Sequence, residues 1–82
     1  MKFEVFVTLK KEVLDPQGKA IENALKNIGF RNIETVRQGK YFSITIDEEN
    51  INKAEQIVNS ACKKLLSNET IEEYKFKLIK WK

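Results

Sequence analysis

The 82-residue chain has no histidine, one cysteine, one proline and three glycines. Without histidine, the side chain that most often serves as general base and metal ligand is missing. One cysteine cannot close a disulfide within the chain, which fits a reducing compartment, and the expectation is a cytoplasmic protein. Three glycines at these spacings do not make a phosphate-cradling nucleotide fingerprint. No apolar run approaches the ~20 residues that span a bilayer. Met1-Lys2-Phe3-Glu4, charged at every second position, does not read as a secretory leader. Neither sign of charge dominates: fifteen Lys and Arg stand against twelve Asp and Glu, a well-mixed net +3. What is present is globular, 41% apolar and 33% charged, too hydrophobic for intrinsic disorder. A chain this short reads as one domain, residues 1–82. It buries only somewhat more than ~60% of its unfolded surface, so oligomerisation is a natural source of stability.

Phe3, Val5, Val7 and Leu9 alternate with polar residues, the period-two signature of a half-buried strand, and only Phe6 breaks the polar face. Asp15-Pro16 starts a helix, with Asp15 as cap and Pro16 at the first helical position. Ile21, Ala24, Leu25 and Ile28 fall on one helical face, and Gly29 stops the helix in the left-handed conformation. Ile33–Arg37 and Tyr41–Asp47 read as two strands joined by a Gln38-Gly39 turn, a weaker hairpin signal than Asn-Gly. Asp47-Glu48-Glu49-Asn50 suits a helix N-terminus. Ile51, Ala54, Ile57, Val58, Ala61, Cys62 and Leu65 continue with helical period, and Ser67-Asn68 ends the helix. Ile71–Trp81 alternates again, but its phase slips at Leu78-Ile79, as a bulge would cause. The order strand, helix, strand, strand, helix, strand predicts an α+β fold: a ferredoxin-like βαββαβ sandwich, with an antiparallel sheet and two helices on one face. The other sheet face would be bare in a monomer.

Few residues offer chemistry. Cys62 lies on the apolar stripe of the second helix and reads as a small buried hydrophobe. The acids at 47–49 read as helix-start residues rather than metal ligands, since oxygen-only sites need more convergent donors. Glu72-Glu73 reads as a solubility device at a sheet edge. Gly39-Lys40-Tyr41-Phe42 is faintly similar to part of the RNA-recognition motif, and Tyr41 and Phe6 could stack bases, but the basic-aromatic octamer is not matched. Gly18, within the first helical turn, is the oddest residue. Alanine there would favour the helix by roughly 0.5–1 kcal/mol, so glycine points to close approach by another backbone or subunit.

Val13-Leu14-Asp15-Pro16-Gln17-Gly18 and Val36-Arg37-Gln38-Gly39-Lys40 together carry a family resemblance. Ala24-Leu25, Gly29-Phe30, Ile44-Thr45-Ile46-Asp47, the run Ala61-Cys62-Lys63-Lys64-Leu65-Leu66-Ser67-Asn68 and Ile71-Glu72-Glu73-Tyr74 extend it over nearly the whole chain. The chain resembles the PurS family, small subunits of phosphoribosylformylglycinamidine (FGAM) synthase. It departs at Asn68-Glu69-Thr70, where the family often has a different turn.

The resemblance implies a role in de novo purine biosynthesis, where formylglycinamide ribonucleotide, glutamine and ATP yield formylglycinamidine ribonucleotide. It implies a non-catalytic assembly subunit, partnered by a large synthetase subunit, PurL, and a glutaminase subunit, PurQ. ATP and Mg²⁺ would be used through the large subunit, with no cofactor, metal, nucleic acid or membrane for this chain. It also implies symmetric homo-oligomers, a dimer or tetramer. Asp15, Pro16, Gln17, Gly18, Arg37, Gln38, Gly39 and Lys40 are the candidate partner-binding residues, with Arg37 and Lys40 flanking a protruding turn. Phe6, Tyr41 and Trp81 are the candidate oligomer interface. The competing readings are an RNA-binding module of similar topology and a small ligand-sensing regulatory domain.

Overall fold

A computed structural model describes residues 1–81. Three antiparallel strands form the sheet: β1 (Lys2–Leu9), β2 (Gly39–Thr45) and β3 (Glu72–Lys80), in the order β2-β1-β3. β1 is central because its alternation is the cleanest; Phe3, Val5 and Val7 are completely buried. Phe3 lies opposite Ile44 and Leu78, and Val5 opposite Phe42 and Phe76, so apolar residues share one face across all three strands. The register slips between Lys2 and Phe3, opposite Lys80 and Leu78, leaving Ile79 as the extra residue. The phase slip in the sequence is therefore a bulge.

Helix α2 (Ile51–Ala61) lies on this face, with Ala54, Val58 and the following Cys62 buried in the core. Asn50 caps it, its side chain accepting from the Lys53 N–H; the acids at 47–49 precede the helix rather than forming its first turn. Cys62–Leu66 then form a π-helical turn. The wider turn rotates the last residues, so Leu66 meets the core while Leu65, expected on the inner stripe, is 82% exposed.

Helix α1 (Pro16–Asn27) begins as expected, with Pro16 in its first turn and Asp15 accepting from the Gly18 N–H at 2.9 Å. Gly29, at φ 107°, follows its end. Its packing differs from the expectation. The buried residues of α1 are Gly18 and Glu22, whereas Ile21 and Ile28 of the apolar stripe are exposed. No strand forms at 33–37 and no hairpin at Gln38-Gly39; residues 33–38 run without turn or bend into β2. The reason is where the backbone donors go: the N–H groups of Val36 and Gln38 are taken by the Glu22 and Asp15 carboxylates, not by a neighbouring strand. Gly39 also lacks the positive φ that a type I′ turn demands; among the described residues only Gly29 has one. Strand–helix alternation about a central antiparallel β1 remains a ferredoxin-like α+β arrangement.

Candidate partner-binding site

The Asp15–Gly18 and Arg37–Lys40 segments, far apart in sequence, meet at the start of α1. Asp15 is the pivot. One carboxylate oxygen accepts from Gly18 and the other from the Gln38 N–H at 2.6 Å. These bonds, the Gln38 one foremost, hold its carboxyl below the usual Asp range. Two turns on, Glu22 accepts from Lys19 at 2.9 Å, from Lys26 at 3.4 Å and from the Val36 N–H at 3.2 Å. Its pKa is also lowered, the Lys19 bond contributing most. Two carboxylates on one helix face thus bind the chain at 36–38 along α1.

The glycines follow from that approach. A Cβ on Gly18 would stand 2.5 Å from the Val36 carbonyl oxygen and collide with the Asp15 carboxylate. The close backbone that Gly18 signals is therefore this chain's own. A Cβ on Gly39 would stand 2.6 Å from the Val7 carbonyl oxygen, so Gly39 lets β2 begin directly against β1.

The remaining motif side chains face outward. Gln38 donates its amide to Gln17 at 2.9 Å. The Arg37 guanidinium donates to the Lys10 carbonyl at 2.9 Å, and Lys40 pairs with Glu72 at 3.2 Å. Arg37 and Lys40 therefore do not flank a protruding turn: each is anchored to the body, and each is still exposed. A pocket of about 170 Å³ lies here, lined by Val7, Leu9, Gln17, Gln38, Lys40 and Glu72 among others. Glu72 is more than the edge device expected, since its carboxylate also accepts from the Asn68 N–H, which with Lys40 lowers its pKa.

Glu22 was not singled out by motif reading, and Glu72 was read only as an edge device, not as a partner of Lys40. The spacing Lys19-Glu22-Lys26 carried the signal for Glu22, because residues three and four apart on a helix are neighbours. No comparable local signal exists for Glu72, whose partner Lys40 is remote in sequence.

The oligomer candidates divide. Phe6 and Tyr41 sit side by side on the bare sheet face, their rings tilted by 52° with centroids 5.5 Å apart. Lys77 lies 5.8 Å from the Phe6 ring, and the Tyr41 hydroxyl donates to Glu4, which raises its pKa. Trp81 is elsewhere, in a groove with Met1, Ile46 and the acids at 47–49. Cys62 is fully buried, and burial pushes its thiol pKa up, away from the nucleophilic thiolate. The clamp carboxylates are taken up by hydrogen bonds and the thiol is buried.

The family model of PurS, phosphoribosylformylglycinamidine (FGAM) synthase, matches residues 2–80. Two curated relatives are named phosphoribosylformylglycinamidine synthase subunit PurS. That of Bacillus subtilis is 39% identical over 77 residues, covering 94% of this chain and 90% of the relative. That of Methanocaldococcus jannaschii is 40% identical over 79 residues, covering 96% and 95%. Among solved structures, B. subtilis PurS matches with a TM-score of 0.83 and 41% identity, covering 93% of this chain and 94% of that one. A chain of the PurLQS structure from Thermotoga maritima matches with a TM-score of 0.87 and 36% identity, covering 93% of both.

Proposed function

The chain belongs to the PurS family, and we propose that it is the small, non-catalytic subunit of FGAM synthase in de novo purine biosynthesis. The observation that carries this reading is the match over nearly the whole chain, including a chain of PurLQS. In the reaction, formylglycinamide ribonucleotide is converted to formylglycinamidine ribonucleotide with glutamine and ATP. PurQ releases ammonia from glutamine, PurL binds ATP and Mg²⁺ and activates the substrate amide, and this chain assembles the two in the cytoplasm. The RNA-binding reading is not favoured. The deciding test is reconstitution of glutamine-dependent activity from synthetase and glutaminase with and without this chain. Activity that appears only with the chain is expected; full activity without it overturns the reading.

Residues 15–18 and 37–40 supply the docking surface for the partner subunits. Asp15, Gly18 and Gly39 fix the backbone, which presents Pro16, Gln17, Arg37, Gln38 and Lys40 already ordered. Pre-ordering of this kind lowers the entropic cost of association. The Lys40–Glu72 pair, open to solvent on its lysine side, contributes only ~0–1 kcal/mol to the fold, whereas charges desolvated at an interface cost about 2–5 kcal/mol when truncated. Arg37→Ala with Lys40→Ala should therefore leave the melting temperature nearly unchanged. At low salt it should raise the concentration needed to saturate activity. An unchanged activity midpoint at low and at moderate salt would rule out the docking role.

The chain also self-associates, as a dimer or tetramer. The exposed stripe of α1 and the Phe6–Tyr41 face support this, and Trp81 offers a third apolar surface. Light scattering at micromolar concentration should find no monomer.

A further inference from the structure

The pocket beside the Asp15 clamp is small and mixed in character. Its apolar lining comes from Val7 and Leu9, and its polar lining from Asp15, Gln17, Gln38, Lys40 and Glu72. A volume of about 170 Å³ has room for about five or six waters at about 30 Å³ each. It falls below the roughly 300–1,000 Å³ of a small-molecule site. A nucleotide does not fit; the end of one side chain does.

The carboxylates of the pocket are already spent. Both Asp15 oxygens accept backbone N–H groups, from Gly18 and from Gln38. Glu72 takes the Asn68 N–H on one oxygen and the Lys40 ammonium, at 3.2 Å, on the other. The two glutamines are only half spent. Gln38 donates from Nε2 to Oε1 of Gln17 at 2.9 Å. A carboxamide has a donor end and an acceptor end. That bond therefore leaves the Gln17 amino group and the Gln38 carbonyl oxygen, one of each kind, on two exposed side chains joined to each other.

The charges decide among occupants. Asp15 and Glu72 balance Lys40 and the nearby Arg37, whose charge acts on Asp15. A carboxylate could accept from Gln17, but it would face two carboxylates and offer the Gln38 oxygen nothing. An ammonium or guanidinium could donate to Gln38, but it would face Lys40 and leave the Gln17 amino group without an acceptor. A neutral carboxamide answers both ends, and it leaves the Lys40–Glu72 pair intact. Its apolar stem suits Val7 and Leu9. We infer that this pocket receives the carboxamide of an Asn or Gln side chain from a partner subunit, held by Gln17 and Gln38 acting as a pair. This rests on the docking role proposed for residues 15–18 and 37–40, and it names what that surface reads. Arg37 and Lys40 steer the approach; the amide pair selects the contact, because a partner lacking the matching group leaves a donor and an acceptor desolvated.

The test is the glutamine-dependent assay of the complex reconstituted from synthetase, glutaminase and this chain. It is run at about 0.15 M salt, where charges more than about 8 Å apart are largely screened. Gln17→Glu removes the donor end, and Gln38→Lys removes the acceptor end. Each should raise the concentration of this chain at half-maximal activity by about three- to tenfold, the change that one neutral hydrogen bond carries. Neither should lower the melting temperature, because both side chains are exposed. A carboxylate occupant would bind Gln38→Lys more tightly, and a cationic one Gln17→Glu. A lowered midpoint in either variant overturns the inference, and so does an unchanged midpoint in either. Arg37→Ala with Lys40→Ala, run beside them, keeps the two proposals apart. A shift there alone leaves docking standing and refutes the carboxamide contact; no shift in any variant refutes both. A second arm titrates free L-glutamine at millimolar concentration into the ¹⁵N-labelled chain alone, observed at the side-chain amide signals of Gln17 and Gln38. No saturable shift is expected. A saturable one would make the occupant a free carboxamide and overturn its assignment to a partner side chain.

Discussion

Gly18→Ala separates what helix propensity predicts from what the fold demands. By propensity alone, alanine in the first turn of α1 should stabilise by roughly 0.5–1 kcal/mol. The geometry reverses the sign. The new Cβ would stand 2.5 Å from the Val36 carbonyl oxygen, which is backbone, and would collide with the Asp15 carboxylate. A flexible side chain could swing aside; a main-chain carbonyl moves only if the segment around it moves. That segment is held by Glu22 at Val36 and by Asp15 at Gln38, so relief of the clash strains one clamp or the other. Overpacking of this kind costs about 1–3 kcal/mol, which after the propensity gain leaves a net loss of up to roughly 2.5 kcal/mol, centred on about 1 kcal/mol. For a domain of this size each kcal/mol moves the melting temperature by about 4–8 °C. Thermal melts of both proteins at one fixed concentration, needed because oligomers melt by mass action, should show the variant lower. A melting temperature equal to or above the parent's would show that Val36 does not approach α1 as described.

Acid should weaken the fold. Asp15, Glu22 and Glu72 all titrate below their ordinary values of 3.8, 4.5 and 4.5, because backbone N–H groups and lysines favour their charged forms. Their contribution is complete above the unfolded values and is lost as pH falls through and below about 4.5 to 3.8; urea midpoints that stay flat from pH 6 to pH 3 would contradict this. Cys62→Ala should lower stability by about 1 kcal/mol, since it removes one heavy atom from a fully buried site, and it should leave reconstituted FGAM synthase activity unchanged at saturation; lost activity with intact stability would assign the thiol a role it lacks here. Leu65→Ser and Leu66→Ala should differ although the residues are adjacent. The first should change stability by no more than about 0.5 kcal/mol, as exposed positions do, and the second should cost about 2 kcal/mol; equal losses would argue against the π-helical turn.

The sequence features that proved readable are those whose cause is local. The alternation Phe3-Val5-Val7, the Asp15-Pro16 helix start, the left-handed Gly29 and the slip at Leu78-Ile79 each depend on neighbours a few residues away, and all appear in the fold. Ile33–Arg37 read as a strand because Ile33, Thr35 and Val36 are β-branched. Yet its backbone donors are claimed by Asp15 and Glu22, carboxylates 23 and 14 residues earlier, which no local pattern reports. The shift that exposes Leu65 was hidden for a related reason: one wide turn changes every later phase without changing the composition. The α1 stripe is a different case. Ile21 and Ile28 were recognised as apolar and on one face, but the periodicity of a helix says that a face must be covered and not by which chain. Within the candidate site, Gly18 and Gly39 mark where backbones close on each other, so their presence in both motifs is explained without any partner. Arg37, Gln38 and Lys40 are different: their side chains stay exposed on a backbone that those internal contacts hold in place. The internal contacts therefore account for the rigidity of the site, while the docking proposed for it rests on the side chains that the fold itself requires least.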